Sequence, residues 1–274
     1  MGTAQKSQLR IWLTRVAVLY AGLLLAVWAM QERLIFAGAY FGSDGIMRVP
    51  EGVEVVRLPH PSGGSFRVAA IGGGSRADGT VLVFVGNGEN LRQAVAEAQG
   101  WARYGQNVLA MEYPGYGQSD GSPSYDSVLR AAELAADFAE ERFGRLSTTA
   151  VGTSLGSFSA VHLASLGRVE RIVLRAPPLS VAEVGAWRYP FIPVGLLLRH
   201  RFDNAALASR VLVPALVLHG DRDESVPLSH GQRLAAMLGG PTRLEIAEGR
   251  GHNDLPVSRD GPYGSVIAGF LAGR

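Results

Sequence analysis

The chain has 274 residues, 47% of them hydrophobic and 18% charged, enough apolar material for a large core and too much for an intrinsically disordered chain. Its 26 cationic residues nearly cancel 24 anionic ones, leaving a formal charge of +2 and no footprint for nucleic acid. There is no cysteine, hence no disulfide, thiolate metal site or cysteine nucleophile. Lys6 is the sole lysine, which removes a phosphate-cradling Walker loop and any Schiff-base lysine outside the N-terminal arm.

Residues 11–30 read IWLTRVAVLYAGLLLAVWAM, an apolar stretch of membrane-spanning length whose one charge, Arg15, lies near an end where it can snorkel to the headgroups. The uninterrupted apolar part runs only over residues 16–30, so a cleaved signal sequence or an arm of a soluble protein are the alternatives. Lys6, Arg10 and Arg15 precede the run, against Arg33 and Arg48 in the stretch after it. This bias favours a cytoplasmic N-terminus and a catalytic domain on the non-cytoplasmic (periplasmic) side.

From Val53 onward short apolar runs alternate with helical patterns. The runs VEVVRL, FRVAAI, VLVFV, NVLAMEY, TTAVG, RIVLRA, VPALVLHG and TRLEIAEG predict eight strands. QAVAEAQGWARYG and SVLRAAELAADFAEERFG predict helices; in the second, Val128, Ala131, Ala132 and Ala135 share one face while Arg130, Glu133 and Asp137 take the other. Continuous apolar strands alternating with helices imply a mostly parallel sheet covered on both faces, with an antiparallel entry at PHPSGGS. No repeat or long linker divides this region, so residues 31–274 read as one domain after an N-terminal segment, 1–30.

In such a sheet the chemistry gathers at the carboxyl ends of the strands. After TTAVG, the residues Gly152, Ser154 and Gly156 fit Gly-x-Ser-x-Gly, a tight strand-to-helix turn that lifts a serine hydroxyl above the sheet edge. A serine nucleophile needs a base further along the chain. Of the five histidines after Ser154, His252 lies in the glycine-rich loop GRGHNDLP beyond the last strand, whereas His230 falls within a helical stretch and reads as a surface or helix-packing residue. The orienting acid comes from VLHGDRDESVP, where Asp221, Asp223 and Glu224 all qualify on position. The backbone N–H groups of Leu155 and of Asn87, in VGNGEN, are candidate oxyanion donors. That second loop has a rival reading: Gly86 and Gly88 followed by a helix and a strand closing on Glu112 imitate a dinucleotide fingerprint, with Leu91 in place of the third glycine.

The set VGNGEN, EYPGYGQSDGSPS, VGTSLGS, VLHGDRDESVP and GRGHNDLP, in this order, resembles the α/β-hydrolase superfamily, and within it the serine hydrolases with an N-terminal membrane anchor and a single hydrolase domain. The resemblance implies an α/β-hydrolase fold with Ser154 as nucleophile, Asp223 as acid and His252 as base, Asn87 and Leu155 donating to the oxyanion, and no metal or organic cofactor. The family usually carries histidine where Val85 stands. The apolar span of about residues 177–210, including Trp187, Phe191 and Leu196, is too apolar for an exposed loop. It is expected either to cap an acyl pocket or to pack in the core or on a membrane surface. The expected activity is cleavage of carboxylic esters, thioesters or amides through an acyl-enzyme, on a small-molecule or lipid acyl substrate, without an obligatory protein partner. The alternatives are an inactive hydrolase-like scaffold and a dinucleotide-binding oxidoreductase.

Overall fold

In the computed structural model, which describes residues 3–41, 48–75 and 77–273, the apolar N-terminal run is one helix, α1 (Thr3–Ile35), followed by a short α2 (Ala37–Phe41). The helix continues five residues past the apolar run because Gln31, Ile35 and the adjoining Phe36 find partners in the body of the protein, where all three are buried.

The eight expected strands all form: β1 (Val53–Pro59), β2 (Ser65–Ile71), β3 (Gly79–Phe84), β4 (Asn107–Met111), β5 (Ser147–Thr153), β6 (Arg171–Arg175), β7 (Ala215–Gly220) and β8 (Thr242–Ala247). They make one sheet in the order β1-β2-β4-β3-β5-β6-β7-β8. The β1–β2 and β2–β4 pairs are antiparallel and the others parallel. Every residue of β3, β4 and β7 is buried, which explains why these strands read as unbroken apolar runs.

Between the strands lie α3 (Leu91–Ala102), α4 (Tyr125–Phe143) and α5 (Gly156–Ser165). Helix α3 starts at Asn90, whose side chain accepts the Arg92 N–H at 3.0 Å while Gln93 reaches back to the Asn90 N–H at 3.1 Å, a capping box. Its buried face of Leu91, Ala94, Val95, Ala98 and Trp101 has the helical period, and each large side chain withdrawn there contributes about 1.5–3 kcal/mol. The segment between β6 and β7 carries α6 (Val181–Arg188), α7 (Val194–Leu197) and α8 (Ala205–Ala208). The chain then closes with α9 (Leu228–Met237) after β7 and α10 (Gly264–Leu271) after β8.

Chain direction reverses across the sheet at β3, with β4 on one side of it and β5 on the other. The loops after β3 and β5 therefore emerge side by side, at the place where such sheets hold ligands.

Candidate active site

Ser154 follows β5 on a turn that forces its backbone to φ +49°, a left-handed conformation that a non-glycine residue adopts only where its surroundings impose it. The turn is tight because its flanking glycines leave no room for side chains. A Cβ on Gly156 would sit 2.0 Å from the Phe84 carbonyl oxygen of β3, and one on Gly152 would sit 2.4 Å from the Gly156 carbonyl oxygen. The Ser154 N–H donates to the Arg175 carbonyl at 2.9 Å, tying the turn to the end of β6. Its carbonyl accepts the Ser157 hydroxyl at 2.7 Å, and Ser157 in turn accepts from Asn204 Nδ2 at 2.9 Å.

Asp223 and His252 emerge from the next part of the sheet. The β7–β8 register pairs Gly220 with Ala247, so the loops beyond them run together, and the Arg222 N–H donates to the Arg250 carbonyl at 2.9 Å. His252 Nδ1 then lies 2.7 Å from Asp223 Oδ2. The other oxygen of Asp223 accepts the N–H groups of Ser225 and Val226 at 2.9 and 2.8 Å, and His219 Nε2 stands 3.3 Å from Oδ2. Burial works against the charge of Asp223. Hydrogen bonds from His219, His252 and Val226, with the charge of His252, outweigh it and hold the carboxyl well below the usual carboxylate range.

The three carboxylates that the sequence offered are thus separated by their partners. Asp221 accepts the Gly249 N–H at 2.6 Å, Glu224 is exposed, and Asp223 alone faces His252. His230 is a helix-packing residue and not a surface one: it is buried, and its Nδ1 accepts the Leu179 N–H at 3.1 Å.

The loop after β3 reaches the same place. A Cβ on Gly86 would lie 3.9 Å from the Ser154 Cβ, and the Gly86 N–H is already taken by the Glu89 carboxylate at 2.5 Å. Among the described residues the N–H groups of Asn87 and Leu155 have no hydrogen-bond acceptor, and neither do the Ser154 hydroxyl and His252 Nε2. Among the described residues Ser154 and His252 are not hydrogen-bonded to each other. Burial raises the Glu89 pKa, against the Gly86 hydrogen bond, which lowers it.

Residues distant in sequence hold this loop. The Asn87 carbonyl accepts the Gly38 N–H of α2 at 2.7 Å and the Tyr116 hydroxyl at 3.1 Å. Gly38 permits that approach, since a Cβ there would come within 2.4 Å of the Tyr116 ring. Val85, standing where histidine is usual, is fully buried, and its carbonyl accepts the Tyr113 hydroxyl at 2.6 Å, so the departure is absorbed by packing below the loop. Glu112, the ribose-binding acid of the dinucleotide reading, is already occupied. It is fully buried and accepts from Arg67 at 2.8 and 2.9 Å, the Ser119 hydroxyl at 2.8 Å and the Leu91 N–H at 2.8 Å. A ribose would have to displace that set.

Arg175 is the residue that sequence reasoning passed over. It closes the buried strand β6, where an arginine requires partners. It pairs with Glu97 at 2.6 Å and donates to Thr153 Oγ1 at 3.0 Å and to the Leu255 carbonyl at 2.7 Å, bracing the His252 loop against β5.

The same fold recurs in known proteins. A family model described as Serine aminopeptidase, S33, matches residues 75–202. The chain is 32% identical over 263 residues, 90% of its length and 88% of the other's, to the uncharacterized protein Rv2307c of Mycobacterium tuberculosis. Among solved structures it is similar to the Pyrococcus furiosus esterase Pf2001, with a TM-score of 0.65 at 18% identity covering 81% of this chain and 90% of that one. It is also similar to Est1E of Butyrivibrio proteoclasticus, solved with ferulic acid, with a TM-score of 0.65 at 16% identity covering 80% and 98%.

Proposed function

The chain belongs to the α/β-hydrolase superfamily, with an S33-like hydrolase domain, and from that premise we propose that it is a membrane-anchored serine hydrolase that cleaves carboxylic esters, thioesters or amides. One observation carries the reading. A strained serine at φ +49° stands between two unpaired backbone N–H groups, while a paired carboxylate and imidazole, 2.7 Å apart, occupy adjacent strand ends.

In this mechanism His252 Nε2 takes the Ser154 proton as Oγ attacks the acyl carbon. Asp223 holds the Nδ1 proton and stabilises the imidazolium. The tetrahedral oxyanion receives the N–H groups of Leu155 and Asn87, donors that need no reorganisation because nothing else engages them. Collapse expels the alcohol, thiol or amine, which leaves with the proton from His252. Water, deprotonated by the same imidazole, then attacks the acyl-Ser154 ester, and the carboxylic acid departs as the serine is restored.

Residues 1–30 are in this reading the anchor and residues 31–274 the hydrolase domain, with the 177–210 segment as its cap. The anchor reading is supported by a helix long and apolar enough to cross a membrane, its apolar window exposed along its length. Lys6, Arg10 and Arg15 on its N-terminal side favour a domain on the non-cytoplasmic side.

The test is covalent labelling of the full chain with a fluorophosphonate. We expect labelling of the parent and its loss in Ser154→Ala and in His252→Ala. Labelling that survives Ser154→Ala overturns the assignment of the nucleophile, and an unlabelled, folded parent overturns the enzyme.

A further inference from the structure

The segment between β6 and β7 raises a question that the catalytic reading leaves open. Its tip is the most apolar exposed surface of the domain: Phe191 is 86% exposed and Leu196 84%, with Trp187 and Tyr189 exposed beside them. These side chains point outward, and a contiguous apolar surface of this kind marks an interaction site.

The position of the tip relative to α1 identifies what it meets. The Tyr20 hydroxyl donates to the Phe191 carbonyl at 2.6 Å, and Gln31 Nε2 donates to the Leu197 carbonyl at 3.2 Å. The tip therefore lies along the helix and not beyond its end. The uninterrupted apolar run of residues 16–30 is about 22 Å long at the helical rise, shorter than the ~30 Å hydrocarbon layer. Any placement in which α1 crosses a membrane must submerge that whole run, and Tyr20 with it. Phe191, bonded to Tyr20, is submerged at the same depth.

We infer that the tip, residues 189–197, is sunk into the bilayer beside the anchor, and that the site takes its acyl substrate from the lipid leaflet. The inference rests on the anchor of the proposed function.

Two independent features of the segment fit hydrocarbon. In lipid a backbone polar group without a partner costs several kcal/mol, so irregular chain is tolerated only where its groups are paired. Pro190 and Pro193 bring no N–H, and those of Tyr189, Ile192, Val194, Leu196 and Leu197 are hydrogen-bonded within the segment or to Gly185, while among the described residues those of Phe191 and Gly195 have no acceptor. The charges also sit at the right level. Arg188 precedes the tip, and Arg199 and Arg201 follow it. The Arg199 guanidinium lies 4.9 Å from the Trp28 ring centre and 3.2 Å from Glu32, where the apolar run of α1 ends. Basic residues and tryptophan at the rim of an apolar patch are the composition of a membrane interface.

The residues that follow this tip pack against α5, the helix that begins two residues after Ser154. Phe202, at its base, packs 5.1 Å from Phe158 of α5, and Asn204 donates to Ser157. An acyl chain in the leaflet is therefore beside the wall of the site.

The absence of native cysteine makes the test direct, because one introduced cysteine carries one nitroxide. The full chain is reconstituted in phosphatidylcholine and phosphatidylglycerol vesicles as Leu196→Cys, with Leu19→Cys on α1 as the buried standard and Leu212→Cys, ahead of β7, as the aqueous one. We expect the Leu196→Cys label to match Leu19→Cys, open to dissolved oxygen and closed to an aqueous nickel chelate. A Leu196→Cys label that matches Leu212→Cys while Leu19→Cys reads as lipid-buried overturns the inference and leaves the anchor standing. A Leu19→Cys label that is itself aqueous overturns both.

A second readout addresses the substrate. In Phe191→Ser/Leu196→Ser, kcat/KM for a long-chain ester held in vesicles, relative to that for a water-soluble acetate, falls on the order of tenfold. An unchanged ratio overturns delivery from the leaflet. Absence of all hydrolysis, with the Leu196→Cys label still buried, counts against the enzymatic reading and not against insertion.

Discussion

The two halves of the site are built on opposite plans. The proposed acid and base come from the loops after β7 and β8, strands that are neighbours in the sheet, and the acid is held mostly from nearby in the chain: Asp223 accepts from Ser225 and Val226, lies beside His219 and faces His252, while Arg175 braces the His252 loop from β6. The loop after β3 owes its shape to remote parts of the chain. Gly38 and Tyr116 grip the Asn87 carbonyl, and Glu112 joins the start of α3 to Arg67 on β2. A proton relay assembled locally tolerates change elsewhere in the fold, whereas an anion-binding loop braced from a distance transmits such change to the reacting atoms.

The comparison can be broken most severely at its local half. Asp223→Asn leaves the shape intact but presents the wrong partner to the imidazole, and kcat should fall about 10³- to 10⁴-fold in steady-state ester hydrolysis. A loss below tenfold would mean that His252 does not depend on this carboxylate. At the braced half the effect is smaller and of a different kind. Tyr116→Phe removes the hydroxyl that donates to the Asn87 carbonyl, so kcat should drop about three- to tenfold with KM unchanged, as expected where only transition-state binding is weakened. Equal turnover in the two proteins would show that the loop holds itself.

Acid should separate the halves thermodynamically. The fold depresses the Asp223 pKa, so its charged form stabilises the protein above the unfolded carboxylate value near 4, and that contribution is lost as pH falls below it. Thermal unfolding in detergent from pH 7 to pH 3 should therefore show a decline that is shallower in Asp223→Asn. Parallel declines would place the acid sensitivity elsewhere. The smallest expected effect is a gain: Ser154→Gly relieves the left-handed strain at φ +49° and should raise stability by up to about 1 kcal/mol while abolishing turnover. An unchanged or lower melting temperature would mean that the turn is not strained.

What the sequence disclosed follows the same division. Buried parallel strands announce themselves as apolar runs, and Gly-x-Ser-x-Gly, VLHGDRDESVP and GRGHNDLP mark the ends of three of them, so β5, β7 and β8 with their loops were legible. The choice among Asp221, Asp223 and Glu224 needed the resemblance, since three adjacent carboxylates look alike until one is seen to face the imidazole at 2.7 Å. The bracing was not legible. Glu112 and Arg67 are brought together by strand pairing across 45 residues, and Gly38 sits in a five-residue helix without periodicity, so its contact with Asn87 leaves no local trace. For the 177–210 segment, composition alone could not distinguish a pocket wall from an outward face. In the structure Phe191 and Leu196 face outward.

In the anchor reading proposed above, the attachment of α1 to the domain has a consequence for the membrane itself. A free single-span helix accommodates a thicker or thinner bilayer by changing its tilt. Here Tyr20 and Gln31 fasten the helix over about 16 Å of its length, with Phe36 just beyond its end, so its angle is set by the domain. Mismatch then falls on the lipid, which must stretch or thin around a rigid body. The thickness of membrane in which this protein sits most comfortably is thus written in the contacts of Tyr20, Gln31 and Phe36 as much as in the length of the apolar run.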